Sequence, residues 1–355
     1  GTGSRAAPSG SRYVQWVEAM RVAQEVELGP AQAEMAGPAD KATPATITLA
    51  DGIQWPGMNS SVLYRRFFYE PLLHRVLNDF RPFTLTDTER HQVVLCGTPG
   101  ISKSACGLYL VFRALKLKRT VVYAASKLGV GLVMQADGQV FAFDIGRRMP
   151  GWITGLQDPD TVLIVDGMVP PVVPAFTVLV TSPQQAMWHK FIKTGSVCML
   201  FHPAFSLPEL QQLRAVAFPG TSETHVRDGF DKYGGNPRLV LTFDEHRSEV
   251  AIRRALGGIR AVAHVPQPTS IRVGYLEELY HWMTKGESDP TIKPWEQEFY
   301  LHHATVPSTG YTASLIDAKC KSLGAEELAR YEESTGGCTV VARKALEYRI
   351  RTAVT

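Results

Sequence analysis

The sequence predicts an α/β fold: a three-layer parallel sheet with helices on both faces, followed by a mostly helical C-terminal region. Three observations carry this. Apolar strand-like runs alternate with helical segments between about residues 51 and 244, the pattern of parallel strands joined by crossovers. One such run, Val93-Val94-Leu95-Cys96, enters a glycine-containing turn and then a helix with Leu108, Leu110, Val111 and Leu115. Another, Val162-Leu163-Ile164-Val165, ends in the carboxylate of Asp166.

The elements follow in order. Residues 12–27 can form one helix, and the remainder up to about 48, rich in Ala, Pro, Gly and Ser, reads as a linker. Apolar spacing over 61–80 predicts a helix. After the glycine-containing turn and its helix comes a strand at 120–124, then an alternating segment at 132–143 that turns at Asp137-Gly138, a hairpin signature. Strands are expected at 161–165, 176–181 and 197–201, with a short helix carrying Trp188 and Phe191. Ser206 and Glu209 form a capping box for a helix through Ala217. Tyr233-Gly234-Gly235 predicts a helix end with a left-handed cap. Further helices are expected at 247–256, 271–283, 325–333 and 341–351. The organisation read from this is a helix and linker over 1–50, an α/β domain over 51–244 and a mostly helical domain over 245–355.

The turn Gly97-Thr98-Pro99-Gly100-Ile101-Ser102-Lys103-Ser104 has the layout of a phosphate-binding loop. Its backbone N–H groups, from Gly97 to Ala105, would cradle phosphate oxygens at a helix N-terminus. Lys103 would reach the β- and γ-phosphates of ATP, and the Ser104 hydroxyl and Asp166 would ligate Mg²⁺. Ser102 stands where the motif has its second glycine, and a Cβ there restricts the backbone. A right-handed helical backbone at the helix start would accommodate it. The strand after Asp166 ends in Thr181-Ser182, at the edge where an open α/β sheet meets its ligand. Ser182 reads equally as a helix N-cap before Pro183. Arg238 follows the tight turn Gly234-Gly235-Asn236-Pro237, either as a phosphate-facing cation or as a solvated surface residue. Gly167 follows Asp166 where a water-polarising Glu would be expected, so any hydrolysis is expected to be slow.

The 355 residues are 45% hydrophobic with a formal net charge of +3, too little to argue for nucleic acid on charge alone. The five cysteines include no C-x-x-C pair and suggest neither a disulfide framework nor a zinc site; Cys96 and Cys198 read as buried thiols. No apolar run reaches membrane-spanning length, so no membrane partner is expected. No signal-peptide pattern is present, and the opening Gly1-Thr2-Gly3-Ser4 looks like a tag remnant.

The chain resembles the Crinkler effectors and, more distantly, the retrotransposon hot spot proteins, over roughly residues 63–241. The resemblance rests on Leu63-Tyr64-Arg65-Arg66, the loop 97–104, Leu163-Ile164-Val165-Asp166-Gly167, and Thr181-Ser182-Pro183 with Trp188 and Lys193. It continues through Pro203, Phe205, Leu207 and Glu209 to Gly234-Gly235-Asn236-Pro237-Arg238-Leu239-Val240-Leu241. It implies an AAA- or STAND-like P-loop NTPase module, in which Lys103, Asp166 and Arg238 serve catalysis and Ser182 and Arg238 sense the γ-phosphate. It also implies secretion and action in host cells, often in the nucleus. ATP is expected over GTP because no N-K-x-D-like guanine reader is found. The competing class is a non-hydrolysing scaffold or self-association module; a nuclease fragment is the third reading. In the C-terminal part, Asp317-Ala318-Lys319 reads as a helix-face charge pair rather than a nuclease motif, His302-His303 as a polar turn, and Arg343, Lys344, Arg349 and Arg351 as a solvated basic helix face. A host protein or nucleic-acid partner is left unspecified.

Overall fold

A computed structural model of the chain describes residues 5–6, 12–28, 44–50, 52–74, 76, 92–145, 153–182, 185–193, 197–258, 280–283, 304–307 and 309–321. Its centre is an eight-stranded sheet. In chain order the strands are β1 (Arg5–Ala6), β5 (Gln92–Cys96), β6 (Val121–Ala125), β7 (Val130–Met134), β8 (Val140–Asp144), β9 (Val162–Asp166), β10 (Phe176–Thr181) and β11 (Val197–Phe201). They lie side by side as β1-β8-β7-β6-β9-β10-β5-β11. The block β6-β9-β10-β5-β11 is parallel, and β7, β8 and β1 extend it antiparallel. Along each parallel strand, side chains alternate between two apolar layers. Val93, Leu95, Tyr123, Ile164 and Val178 join one; Val94, Cys96, Val122, Leu163 and Leu179 join the other. Burial on both faces is why these strands read as continuous apolar runs.

The first face is covered by α1 (Arg12–Val22) and α3 (Lys103–Lys116), which pack against each other. The apolar cluster of the second face also takes in residues of α5 (Leu207–Ala217), α6 (Glu223–Tyr233), α7 (Glu245–Gly258) and α8 (Gly310–Lys321); two shorter helices are α2 (Tyr69–His74) and α4 (Gln185–Trp188). Ile252 of α7 and Ile316 of α8 share one apolar cluster with Val165 and Leu179, so these C-terminal helices build on the core of the sheet.

Local signals translated directly. The β7–β8 hairpin turns at Gly138 with φ +106°, and Gln135 N–H donates to Gln139 O at 2.9 Å. The Ser206–Glu209 capping box is present at the start of α5. Gly234 ends α6 at φ 69°, ψ −157°, a positive-φ cap outside the left-handed helical region that was expected.

Other elements differ from expectation. The helix expected over 12–27 stops at Val22, and Glu25–Glu27 is a strand, β2. Ala45–Thr48, read as linker, is β3, and Val62–Arg65, inside the helix expected at 61–80, is β4. These three form an antiparallel sheet β2-β3-β4. A short apolar run buried on both sides carries no period that separates strand from helix, and pairing with a distant segment decides. Tyr280–Met283, inside the helix expected at 271–283, is β12, paired antiparallel with β13 (Ala304–Pro307). Cys198 is half-buried because β11 is an edge strand; Cys96 and Cys106 are buried. Asp317 and Lys319 fall on α8. His302-His303, the expected helices at 325–333 and 341–351, and the basic residues Arg343, Lys344, Arg349 and Arg351 lie outside the described residues, as does Pro183.

One buried ion pair ties β4 to the β11–α5 connection. Arg66, fully buried just after β4, donates to both carboxylate oxygens of Glu209 at 2.8 and 2.9 Å. It also donates to Pro203 O at 2.6 Å and Ala204 O at 2.9 Å, and its guanidinium stacks 3.8 Å from the centre of the Phe205 ring. Glu209 additionally accepts from Ser206 N–H at 3.0 Å. Each charge is satisfied several times over, the condition under which a buried pair is tolerated. Glu209→Ala strips Arg66 of its counter-charge and α5 of its capping box. It is expected to lower unfolding stability by about 3–5 kcal/mol in urea titration, whereas a control at an exposed pair, Glu245→Ala, should leave the unfolding curve essentially unchanged.

Candidate functional site

The C-terminal ends of β5, β9 and β10 open together, because β10 lies between β5 and β9 in register: Thr181 is level with Cys96, and Val180 with Asp166. This brings the loop after β5, the carboxylate after β9 and the Thr181-Ser182 end of β10 to one edge of the sheet. A cavity of about 630 Å³ opens there. Of the residues expected at the site, Pro99, Gly100, Ser102, Lys103, Ser104, Ala105, Asp166, Ser182 and Arg238 line it. Gly97, Thr98 and Ile101 form the back of the loop; Thr98 and Ile101 are buried.

The loop has little slack. A Cβ on Gly97 would sit 2.9 Å from His202 O and 3.0 Å from the Ile101 side chain, so the loop rests directly on the residue after β11. Gly100 has φ +90°, and a Cβ there would strike the Asn236 side chain. Asn236, 2% exposed, donates from Nδ2 to Pro99 O at 3.0 Å and accepts at Oδ1 from Arg238 N–H at 3.1 Å. It clamps the turn 234–238 onto the loop after β5. Behind it, Gly235 must be glycine: a Cβ would collide with the backbone of Phe205, whose N–H donates to Gly235 O at 2.9 Å. Arg238 then opens a wide π-type turn, Arg238–Thr242, at the cavity wall.

Ser102 takes φ 69°, ψ 24°, the left-handed conformation of the glycine that the motif calls for. The right-handed backbone expected for it is not what it adopts. An L-residue in this region costs about 1–2 kcal/mol. Lys103, 8% exposed, donates from Nζ to Thr98 O at 2.7 Å, so the amine sits over its own loop at the cavity wall.

Asp166 is half-buried. Burial raises its pKa above the ordinary carboxylate value, while a hydrogen bond from the Ser104 side chain and the charges of Lys127 and Lys103 pull the other way. Gly167 has φ +70°, and a Cβ there would sit 2.8 Å from Ser126 Oγ. It is a turn glycine, and replacing it by Glu requires Ser126 and the backbone to move; it does not offer an empty slot for a carboxylate. Asp166 is the one carboxylate on the cavity wall among the described residues.

Sequence reasoning missed two parts of the site. Lys127, on the turn after β6, lines the cavity beside Asp166. An apolar wall of Tyr64, Phe205, Leu213, Phe218 and Phe243 faces the polar loop. No local signal marks Lys127: its placement follows from the β6–β9 pairing, which sets Ala125 level with Asp166. The arrangement can hold a molecule with an anionic end and an apolar or aromatic end, the usual build of a small-molecule pocket.

No group of three His, Cys, Asp or Glu side chains that could hold a metal ion by themselves is found among the described residues. No described helix is long and apolar enough to cross a membrane. Comparisons with protein-family models, with curated proteins and with solved structures find no match to this chain.

Two outcomes are expected from this geometry. Ser102→Gly relieves the left-handed strain and is expected to stabilise the fold by about 0.5–1 kcal/mol, net of the added unfolded-state freedom of glycine, in equilibrium urea unfolding. Asp166→Asn is expected to raise the unfolding midpoint at neutral pH. The folded pKa of Asp166 lies above its unfolded value, so ionisation costs folding stability as pH rises from the unfolded pKa through the folded one. The variant lacks that cost, and its advantage should shrink toward zero below the ordinary carboxylate range, as measured by paired unfolding curves across pH.

Proposed function

We propose that the chain is a P-loop nucleotide-binding module that takes ATP with Mg²⁺ in this cavity and hydrolyses it slowly. The observation that carries the proposal is convergence. A strand–turn–helix with Lys103 and Ser104, the carboxylate of Asp166, the Thr181-Ser182 strand end and Arg238 come from four separate stretches of sequence to line one cavity. The Gly97–Ala105 backbone at the start of α3 would hold the phosphates, with Lys103 exchanging its bond to Thr98 O for a phosphate oxygen. Ser104 and Asp166 line the cavity together, and the Ser104 side chain acts to lower the Asp166 pKa, so a hydroxyl and a carboxylate would serve as a Mg²⁺ ligand pair. One protein carboxylate suits an ion that keeps waters and takes its other ligands from phosphates. When bound, the ion would neutralise charge on the β- and γ-phosphates. The apolar wall of Phe218, Phe243 and Leu213 fits a nucleobase.

Slow turnover follows from the same residues. If Asp166 holds the metal, no other carboxylate on the described cavity wall is left to activate water. A non-hydrolysing scaffold is the second reading. It is favoured by the strained Ser102, by the Lys103 bond to Thr98 O and by the turn role of Gly167. The resemblance to Crinkler effectors extends the proposal to action inside host cells, with nucleotide binding setting the state of the module.

Calorimetric titration of the unmutated chain with Mg²⁺-ATP is expected to show binding. Lys103→Ala should weaken it by about 2–3 kcal/mol through loss of a charge-assisted phosphate contact. Absence of heat at millimolar ATP would remove the nucleotide reading and leave the scaffold one.

A further inference from the structure

We infer that Lys127, resting on the nucleotide reading above, is the cation that makes this site selective for a triphosphate over a diphosphate. The turn Ser126–Leu128 follows β6 directly, and β6 pairs with β9 so that Ala125 is level with Asp166. Ser126 Oγ packs against the Cα of Gly167, which seats the turn on the residue after the carboxylate. Lys127 therefore lines the cavity on the Asp166 side, and Arg238 lines it from the turn Arg238–Thr242.

The charge balance of the wall gives Lys127 its task. Three cationic side chains, Lys103, Lys127 and Arg238, face one carboxylate, Asp166, an excess of two positive charges. A Mg²⁺-triphosphate carries about two net negative charges and a Mg²⁺-diphosphate about one. Lys103 and Arg238 against Asp166 would balance only the diphosphate; the third cation completes the match to the triphosphate. Lys103 is held at the loop by Thr98 O, where it would span the β- and γ-phosphates, whereas Lys127 stands on the Asp166 side, where it would add a second positive charge at the terminal phosphate alone. Its side chain is exposed, so its contribution is subject to screening by salt. In this role it supplies within one chain a positive charge that other phosphate sites take from a neighbouring subunit.

The test is calorimetry of the full chain, Lys127→Gln and Lys127→Arg, each with Mg²⁺-ATP and Mg²⁺-ADP at low and at physiological salt. Lys127→Gln is expected to weaken ATP about tenfold while leaving ADP within about twofold, with the difference larger at low salt, and Lys127→Arg should restore most of the ATP affinity. An unchanged ATP affinity, or an equal loss for ATP and ADP, overturns the inference while leaving nucleotide binding standing. If the unmutated chain binds neither nucleotide, the nucleotide reading fails and this inference falls with it.

Discussion

The Arg66–Glu209 pair is the constraint on which the rest of the site depends. It anchors the connection between β11 and α5, and that connection is the floor under everything chemical. His202 N–H donates to Cys96 O at 2.7 Å and its carbonyl backs Gly97. Phe205 holds Gly235, and Gly235 leads into Asn236, which clasps the loop at Pro99. A path of direct contacts thus runs from a buried guanidinium to both turns that line the cavity. The pair survives burial because every polar nitrogen of Arg66 has a partner, two backbone carbonyls among them. His202 beside it is held neutral, its pKa pushed well below the ordinary value by burial and by the nearby cations Arg66 and Lys103. A charged imidazole there would compete with Arg66 for the same floor.

Above that floor the molecule carries features that cost stability. Ser102 occupies a backbone region that disfavours it, Asp166 carries a charge that burial opposes, and three cations crowd one cavity. Each is costly on its own, and on the nucleotide proposal each would be relieved or used by a multiply charged anion with a divalent metal. Strain and opposed charges concentrated at one edge of a well-packed sheet point to a site.

How much of this was legible in sequence follows from where each interaction partner lies. The loop 97–105 and α3, the hairpin at Asp137-Gly138 and the Ser206–Glu209 cap are local, and the residues that make them are close in the chain. β4 was misread as helix because its partner β3 is defined only by pairing, and Arg66 carried no sign of burial because an arginine ordinarily reads as solvated. Asn236 was visible only as part of a tight turn, since its role lies in reaching Pro99 from 137 positions away. Gly167 was read as a lost carboxylate, whereas its positive φ against Ser126 makes it a turn residue; backbone conformation at a single glycine leaves no trace in composition. Lys127 depended on strand register, the least local feature of all.

The central claim is that the loop after β5 and the turn 234–238 close together on one ligand. Amide hydrogen exchange read by mass spectrometry, with and without Mg²⁺-ATP, tests it most directly. The account expects added protection in two segments far apart in sequence, 97–105 and 234–242, with little change in β7, β8 or α1. Protection confined to one of the two segments, or no change in either at saturating nucleotide, would contradict it.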